Sequence, residues 1–203
     1  MPETGNLHAS FVEELRDVYD GEHQLLKALT KLSAAASSDE LREAFDGHRT
    51  ETQGHVERLE QIFEQLDEKP RGKHCAGIAG IIEEGKSAMD GRVDESTRDA
   101  CLIAAGQRAE HYEMAAYGTL AAWADTMGHT DAADLLRQTL DEEKAADAKL
   151  TEIAESGVNN AAAGDMRAGG RDRETGASPS TPDRPARLGM PARTTQTRPR
   201  ARS

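Results

Sequence analysis

Along the first helix-length stretch of the chain, Phe11, Leu15, Val18, Leu25, Leu29 and Leu32 recur in steps of four and three, and Glu22 stands where the next apolar residue belongs. That spacing puts one face of a helix against a core and predicts a helix from Leu7 to Ala35. A second stripe, Leu41, Phe45, His48, Thr52, His55, Leu59, Ile62 and Leu66, predicts a second helix. The break falls in Ala36-Ser37-Ser38-Asp39, where Ser37 with Glu40 three residues on fits a capping box. Pro70-Arg71-Gly72 marks a loop. The segment Cys75 to Met89, with Ile78, Ile81 and Ile82, is short for a bundle member and reads as a connector across the outside. Ile103, Glu110, Tyr117 and Ala124, spaced by sevens, predict a long helix from Asp94 to Met127 with Gly128 as its C-terminal cap. A last helix is expected from an N-cap at Thr130 to Ser156-Gly157, with Leu136, Leu140, Glu143, Leu150 and Ile153 on its seam. The pattern predicts an all-α fold: a four-helix bundle over residues 1–157 with one additional short connecting helix.

Each long helix carries a glutamate on or beside its seam: Glu22, Glu51, Glu110 and Glu143. A lone ionised carboxylate in a core is costly, so it must be protonated, paired or bound to a metal. Residues equidistant from a hairpin loop lie at one height, because every helix rises by about 1.5 Å per residue. Glu22 lies about 14 residues before the first loop and Glu51 about 15 after it; Glu110 and Glu143 lie about 18 and 15 from the second. The four acids therefore share a level. His55 and Asp147 follow Glu51 and Glu143 by one turn, from where a side chain reaches the same ion. The expected metal ligands are Glu22, Glu51, His55, Glu110, Glu143 and Asp147, with Glu51 and Glu143 bridging. Carboxylates with a few imidazoles favour iron or manganese. Two such ions about 3.5–4 Å apart react with O₂ or peroxide. His23 and His111 are expected to serve behind the ligands or at the surface, and His48 to orient Glu51 or to sit in the core. Tyr19, Tyr112 and Tyr117 are expected to pack near the same layer.

Composition changes this picture mainly at the C-terminal end. The 203 residues carry a net charge of −12, with 31 % charged and only 3 % aromatic residues, so the core must be aliphatic. From Met166 onward nine arginines face three acids, a net +6 that leaves −18 on residues 1–165. Such an acidic body repels phosphate backbones. The apolar period stops after Gly157, and the Gly-, Pro- and Arg-rich residues 158–203 are expected to be a disordered tail. Nucleic-acid contact, if any, would come through that tail. The two cysteines, Cys75 and Cys101, form no metal or disulfide motif and are expected to be free thiols. Without a leader-like segment or a long apolar run, a soluble cytoplasmic protein with no membrane partner is expected.

Tyr19-Asp20-Gly21-Glu22-His23-Gln24-Leu25, Glu51-Thr52-Gln53-Gly54, Ala109-Glu110-His111-Tyr112-Glu113 and Glu142-Glu143-Lys144-Ala145-Ala146-Asp147 resemble the YciE/YciF family of ferritin-like proteins. The resemblance runs from Leu7 to Gly157 and includes Cys75 and the Ile81-Ile82-Glu83-Glu84 connector. It implies a ferritin-like bundle, a homodimer, a carboxylate dimetal centre and a link to stress responses. The broader ferritin-like pattern often has Glu-x-x-His on its second and fourth helices. Here Gly54 and Ala146 stand at that offset, which leaves His55 or Gln53, and Asp147, as substitutes. A dimetal oxidase or peroxidase-like protein is the leading expectation, with a metal-binding or structural dimer lacking turnover as the alternative. Cage-type iron storage is a third.

Overall fold

The computed structural model describes residues 6–164, which contain no strand. Five helices follow one another: α1 (Leu7–Ala35), α2 (Asp39–Gln65), α3 (Ala76–Asp90), α4 (Glu95–Met127) and α5 (Thr130–Ile153). A π-helical turn, Ala154–Val158, carries the last helical path on to Gly164. The expected stop at Ser156-Gly157 is therefore passed without a break. Ala154 is buried and Val158 packs against the same apolar cluster, so the core extends beyond the last strong seam residue, Ile153. The expectation of a disordered tail otherwise falls on residues 165–203, outside the described residues.

The caps differ from expectation at two ends. Asp99 of α4 accepts hydrogen bonds from the backbone N–H of both Ser37 and Ser38 at 2.8 Å. With Ser37 held there, the N-cap moves one residue on, to Ser38, whose hydroxyl accepts from Leu41 N–H. At α5 the N-cap is His129, not Thr130. The His129 ring stacks on Phe11 at 6.2 Å and ties the second hairpin loop to the start of α1. Asp94 caps α4 through Thr97 N–H at 2.8 Å, and Gly128 closes it with φ of 80°, a left-handed position that glycine takes without strain.

α1 pairs with α2 and α4 with α5 through short loops, and the two hairpins face each other through α1–α4 and α2–α5 contacts. The Asp99 contact sets the start of α4 beside the α1–α2 loop, so α4 runs antiparallel to α1. α3 makes the long return outside the bundle, against α1 and α4. It docks closely: a Cβ on Gly77 would run into the Tyr112 ring, whose hydroxyl donates to Asp17 at 3.0 Å and lies 3.4 Å from Cys75 Sγ. Both cysteines are free.

Two apolar cores fill the bundle. One gathers Phe11, Leu15, Leu59, Phe63, Tyr117 and Leu136 towards the α4–α5 loop. The other gathers Leu32, Leu41, Phe45, Leu102, Leu150 and Ile153 towards the α1–α2 loop. The polar layer lies between them: Glu22 falls between Val18 and Leu25, His48 and His55 between Phe45 and Leu59, and Glu143 between Leu136 and Leu150. Each of the four long helices is thus anchored on both sides of the layer by close-packed side chains. That packing keeps costly polar groups in place.

Candidate metal centre

The central layer brings six ionisable side chains into contact. His48, Glu110, Glu113 and Glu143 offer ligand atoms within 4.8 Å of one another, and so do Glu22, His55 and Glu143. All six residues are buried, and Glu143 belongs to both groups. His48 Nε2 lies 3.2 Å from Glu110 Oε2 and 3.7 Å from Glu143 Oε2. His55 Nδ1 lies 3.0 Å from Glu143 Oε1 and 3.4 Å from Glu22 Oε1.

These approaches are close but poorly aligned for hydrogen bonding. His55 Nδ1, Glu22 Oε2, Glu110 Oε2, Glu113 Oε1 and both oxygens of Glu143 are buried without a hydrogen-bond partner among the described residues. Orphaned lone pairs crowded into one dry layer cost free energy unless a cation satisfies them. Four carboxylates and two neutral imidazoles would bring −4, which two divalent ions neutralise. Oxygen-rich sites with imidazole suit iron and manganese rather than thiolate-selected metals. The layer fits the dimetal group that the ferritin-like resemblance implies.

Each imidazole is held from behind by a carboxylate. His55 Nε2 lies 3.0 Å from Glu142 Oε2, and Glu142 is itself clamped by Arg58 through both guanidinium nitrogens. His48 Nδ1 lies 3.2 Å from Glu51 Oε2. Such partners fix ring orientation and raise ligand basicity. Tyr117 donates its hydroxyl proton to Glu22 Oε1 and fixes that carboxylate in turn.

The electrostatics follow from burial. Burial first, then the charges of Glu22, Glu143 and Glu110, pushes Glu113 well above the usual carboxylate range. Burial and the contact with Glu110 push Glu143 up to about 7, against the pull of the two histidines. Burial opposes the imidazolium at His55, but the neighbouring Glu143 and Glu22 overcome it and raise its pKa to about 10. Burial likewise opposes His48, which contacts with Glu110 and Glu51 lift well above its ordinary value. Protons and cations therefore compete for one cluster.

Of the six residues expected from sequence, the structure brings Glu22, His55, Glu110 and Glu143 together and leaves two outside both groups. Glu51 has a half-exposed side chain and reaches the layer only through His48. It lies off its helix's inward stripe, so the site on α2 is occupied by the imidazoles at His48 and His55. Glu51, expected to bridge, lies outside both groups of ligand atoms, whereas Glu143 belongs to both. Asp147 turns towards α4, accepting from Gln107 Nε2 at 3.0 Å and pairing with His111 at 3.4 Å. Two members of the layer were not expected as ligands. His48 was readable as the stripe position one heptad before His55. Glu113 leaves no mark on the spacing by sevens through Ile103, Glu110 and Tyr117; the intervening positions Gly106, Glu113 and Leu120 are equally buried.

A side-by-side bundle with a carboxylate and imidazole layer across its middle is the ferritin-like class of all-α protein. Such sites use four glutamates and two histidines, with a Glu-x-x-His on each of two helices. The inventory here is the same but redistributed, with both histidines on α2 and a Glu-x-x-Glu, Glu110 and Glu113, on α4. The chain belongs to the family described as a domain of unknown function, DUF892, whose model matches residues 6–163. Protein YciF of Escherichia coli K12 is 44 % identical over 153 residues, covering 75 % of this chain and 92 % of that protein. The crystal structure of the E. coli stress protein YciF superposes with a TM-score of 0.74 at 43 % identity, over 77 % of this chain and 99 % of that one. YcfI of Rhodopseudomonas palustris, a structural protein by provisional description, gives a TM-score of 0.71 at 40 % identity over 74 % and 96 % of the two chains.

Proposed function

We propose that this protein is a dinuclear iron or manganese protein of the stress response, reacting with peroxide or O₂. The observation that carries the reading is the sharing of Glu143 between two groups of buried ligand atoms whose lone pairs lack hydrogen-bond partners. One ion would be held by His48, Glu110, Glu113 and Glu143, the other by Glu22, His55 and Glu143. Glu142 and Glu51 would keep the two imidazole rings oriented, and Tyr117 would keep Glu22 so. The aliphatic layers above and below exclude bulk water. When bound, a pair of redox metals supplies electrons and Lewis acidity for reducing a small oxidant.

The stress assignment is supported by the E. coli relative's description as a stress protein. The homodimer and the cytoplasmic location rest on the family resemblance and the sequence, and sedimentation of the purified protein tests the first directly. Among the described residues no helix is long and apolar enough to cross a membrane.

A second reading, a metal-binding or structural protein without turnover, is favoured by the description of the R. palustris relative. Peroxide and O₂ consumption by the iron-loaded protein separates the two. Steady consumption supports the redox reading, and loaded protein that leaves both oxidants untouched supports the structural one.

A further inference from the structure

Two cavities meet the metal layer, and both touch His48 and Glu110. They differ in everything else. The cavity between α1, α3 and α4 measures about 40 Å³ and is walled by aliphatic side chains such as Leu25, Leu29, Ile81 and Ile82, with Lys31 and Lys86 among its lining. The cavity between α2 and α5, with Glu110 at its inner end, measures about 230 Å³ and carries Glu43 and Glu51 on its wall. Lys149 on its wall is paired with Glu40 at 3.3 Å and Glu152 at 3.2 Å.

A divalent ion sheds its waters reluctantly, and transferring it bare into apolar surroundings is prohibitive. The small cavity has room for only about a few waters, and Lys31 and Lys86 among its lining repel an entering cation. The larger one has room for an ion with several of its waters and two carboxylates to attract it. Its far end holds Glu110 Oε2, a buried oxygen without a hydrogen-bond partner. Glu51 stands midway: half-exposed, it contacts His48 Nδ1 at 3.2 Å, and the other nitrogen of that ring lies 3.2 Å from Glu110.

We propose that the acidic cavity between α2 and α5 is the cation entrance to the metal layer, and that Glu51 is a transit ligand passing each ion inward to Glu110. This rests on the dimetal reading above. The mouth is kept open by small residues, Gly47 on α2 and Ala145 and Ala146 on α5. A Cβ added at Gly47 meets nothing within 4 Å, so a larger side chain there narrows the passage without disturbing the fold.

The test is the rate of Co²⁺ loading, followed by its ligand-field absorption after rapid mixing, with the end point measured by equilibrium dialysis. Wild type is compared with Gly47→Leu, Glu51→Gln and, as a control for net charge, the exposed Glu57→Gln. Gly47→Leu is expected to load about tenfold more slowly and reach the wild-type number of ions, and Glu51→Gln to slow by about tenfold through loss of electrostatic focusing. Glu57→Gln is expected to load at the wild-type rate. A wild-type loading rate in either cavity variant overturns the entrance. Fewer ions bound at saturation by Glu51→Gln makes that residue a resident ligand and overturns its transit role. Failure of the wild type to bind Co²⁺ in the layer overturns the dimetal reading and the entrance together, so the two failures are distinct.

Discussion

The Nε2 of His55 meets the Glu142 carboxylate at 3.0 Å on the side of the ring that faces away from the metal layer. Because Arg58 holds Glu142 from the other side, the imidazole can present Nδ1 and its lone pair to Glu143 and Glu22. Glu142→Ala removes the partner that sets this tautomer and leaves the largely buried Arg58 side chain without it. Metal affinity should fall about 10- to 100-fold with no change in the number of sites. Competitive titration against a chromophoric chelator reads the difference, and an unchanged affinity would mean that the His55 tautomer is set elsewhere.

The layer trades stability for binding capacity. Glu143→Leu removes a buried carboxylate whose two oxygens have no hydrogen-bond partner among the described residues, so its desolvation cost is relieved. His55 keeps Glu22 and Glu142, and His48 keeps Glu110 and Glu51. Metal-free Glu143→Leu should melt at or above the wild-type temperature while losing both ions, since its carboxylate serves both groups. Calorimetry with parallel metal analysis checks this. A variant that melts lower and keeps one ion would show that Glu143 is not shared.

The pH response has a definite sign. Folding raises His55 from 6.5 to about 10, so the stability it contributes is complete below 6.5 and is lost as pH rises through 10. Folding also raises Glu143 from 4.5 to about 7. An acid shifted upward binds its proton more tightly in the folded state, so its contribution too declines as pH climbs from 4.5 to 7. The metal-free protein should therefore lose stability steadily from about pH 4.5 to 10, visible in chemical denaturation at several pH values. Cations displace these protons, so affinity should rise with pH over the same interval and the loaded protein should lose less stability. A metal-free form that gains stability on going from pH 5 to 8 would contradict the protonation assigned to the layer.

Away from the layer, Asp99 joins the start of α4 to the α1–α2 loop by two backbone hydrogen bonds at 2.8 Å. Asp99 is 3 % exposed, and Asp99→Ala removes the charged acceptor of both bonds. A loss of about 2–3 kcal/mol is expected in urea denaturation, with metal stoichiometry unchanged. Loss of metal with full stability would place Asp99 in the site instead.

How far the sequence reached depends on the signal each feature leaves. The helices were readable because the apolar period is long and the breaks at Ser37-Ser38, Pro70-Arg71-Gly72 and Gly128 are chemically explicit. Glu22, Glu110 and Glu143 were readable for a related reason: an acid that interrupts an apolar stripe has no ordinary place there. Glu51 is a glutamate beside its stripe at the right height, and height along a helix says nothing of angle round it. The distinction is visible only when His48 is seen to fill the inward position and Glu51 to stand behind it. Asp147 has the turn-later spacing from Glu143, but its contacts with Gln107 and His111 come from α4, and pairings between distant segments leave no local mark. Glu113 shows only in the alternate three- and four-residue steps of α4, the same steps that mark the stripe of α1.

Anomalous scattering from a crystal loaded with iron or manganese tests the central claim most directly. Two peaks per chain are predicted, one among His48, Glu110, Glu113 and Glu143 and one among Glu22, His55 and Glu143, with the Glu143 carboxylate between them. Metal found only at the protein surface, or none in the layer under anaerobic loading at neutral pH, would contradict it.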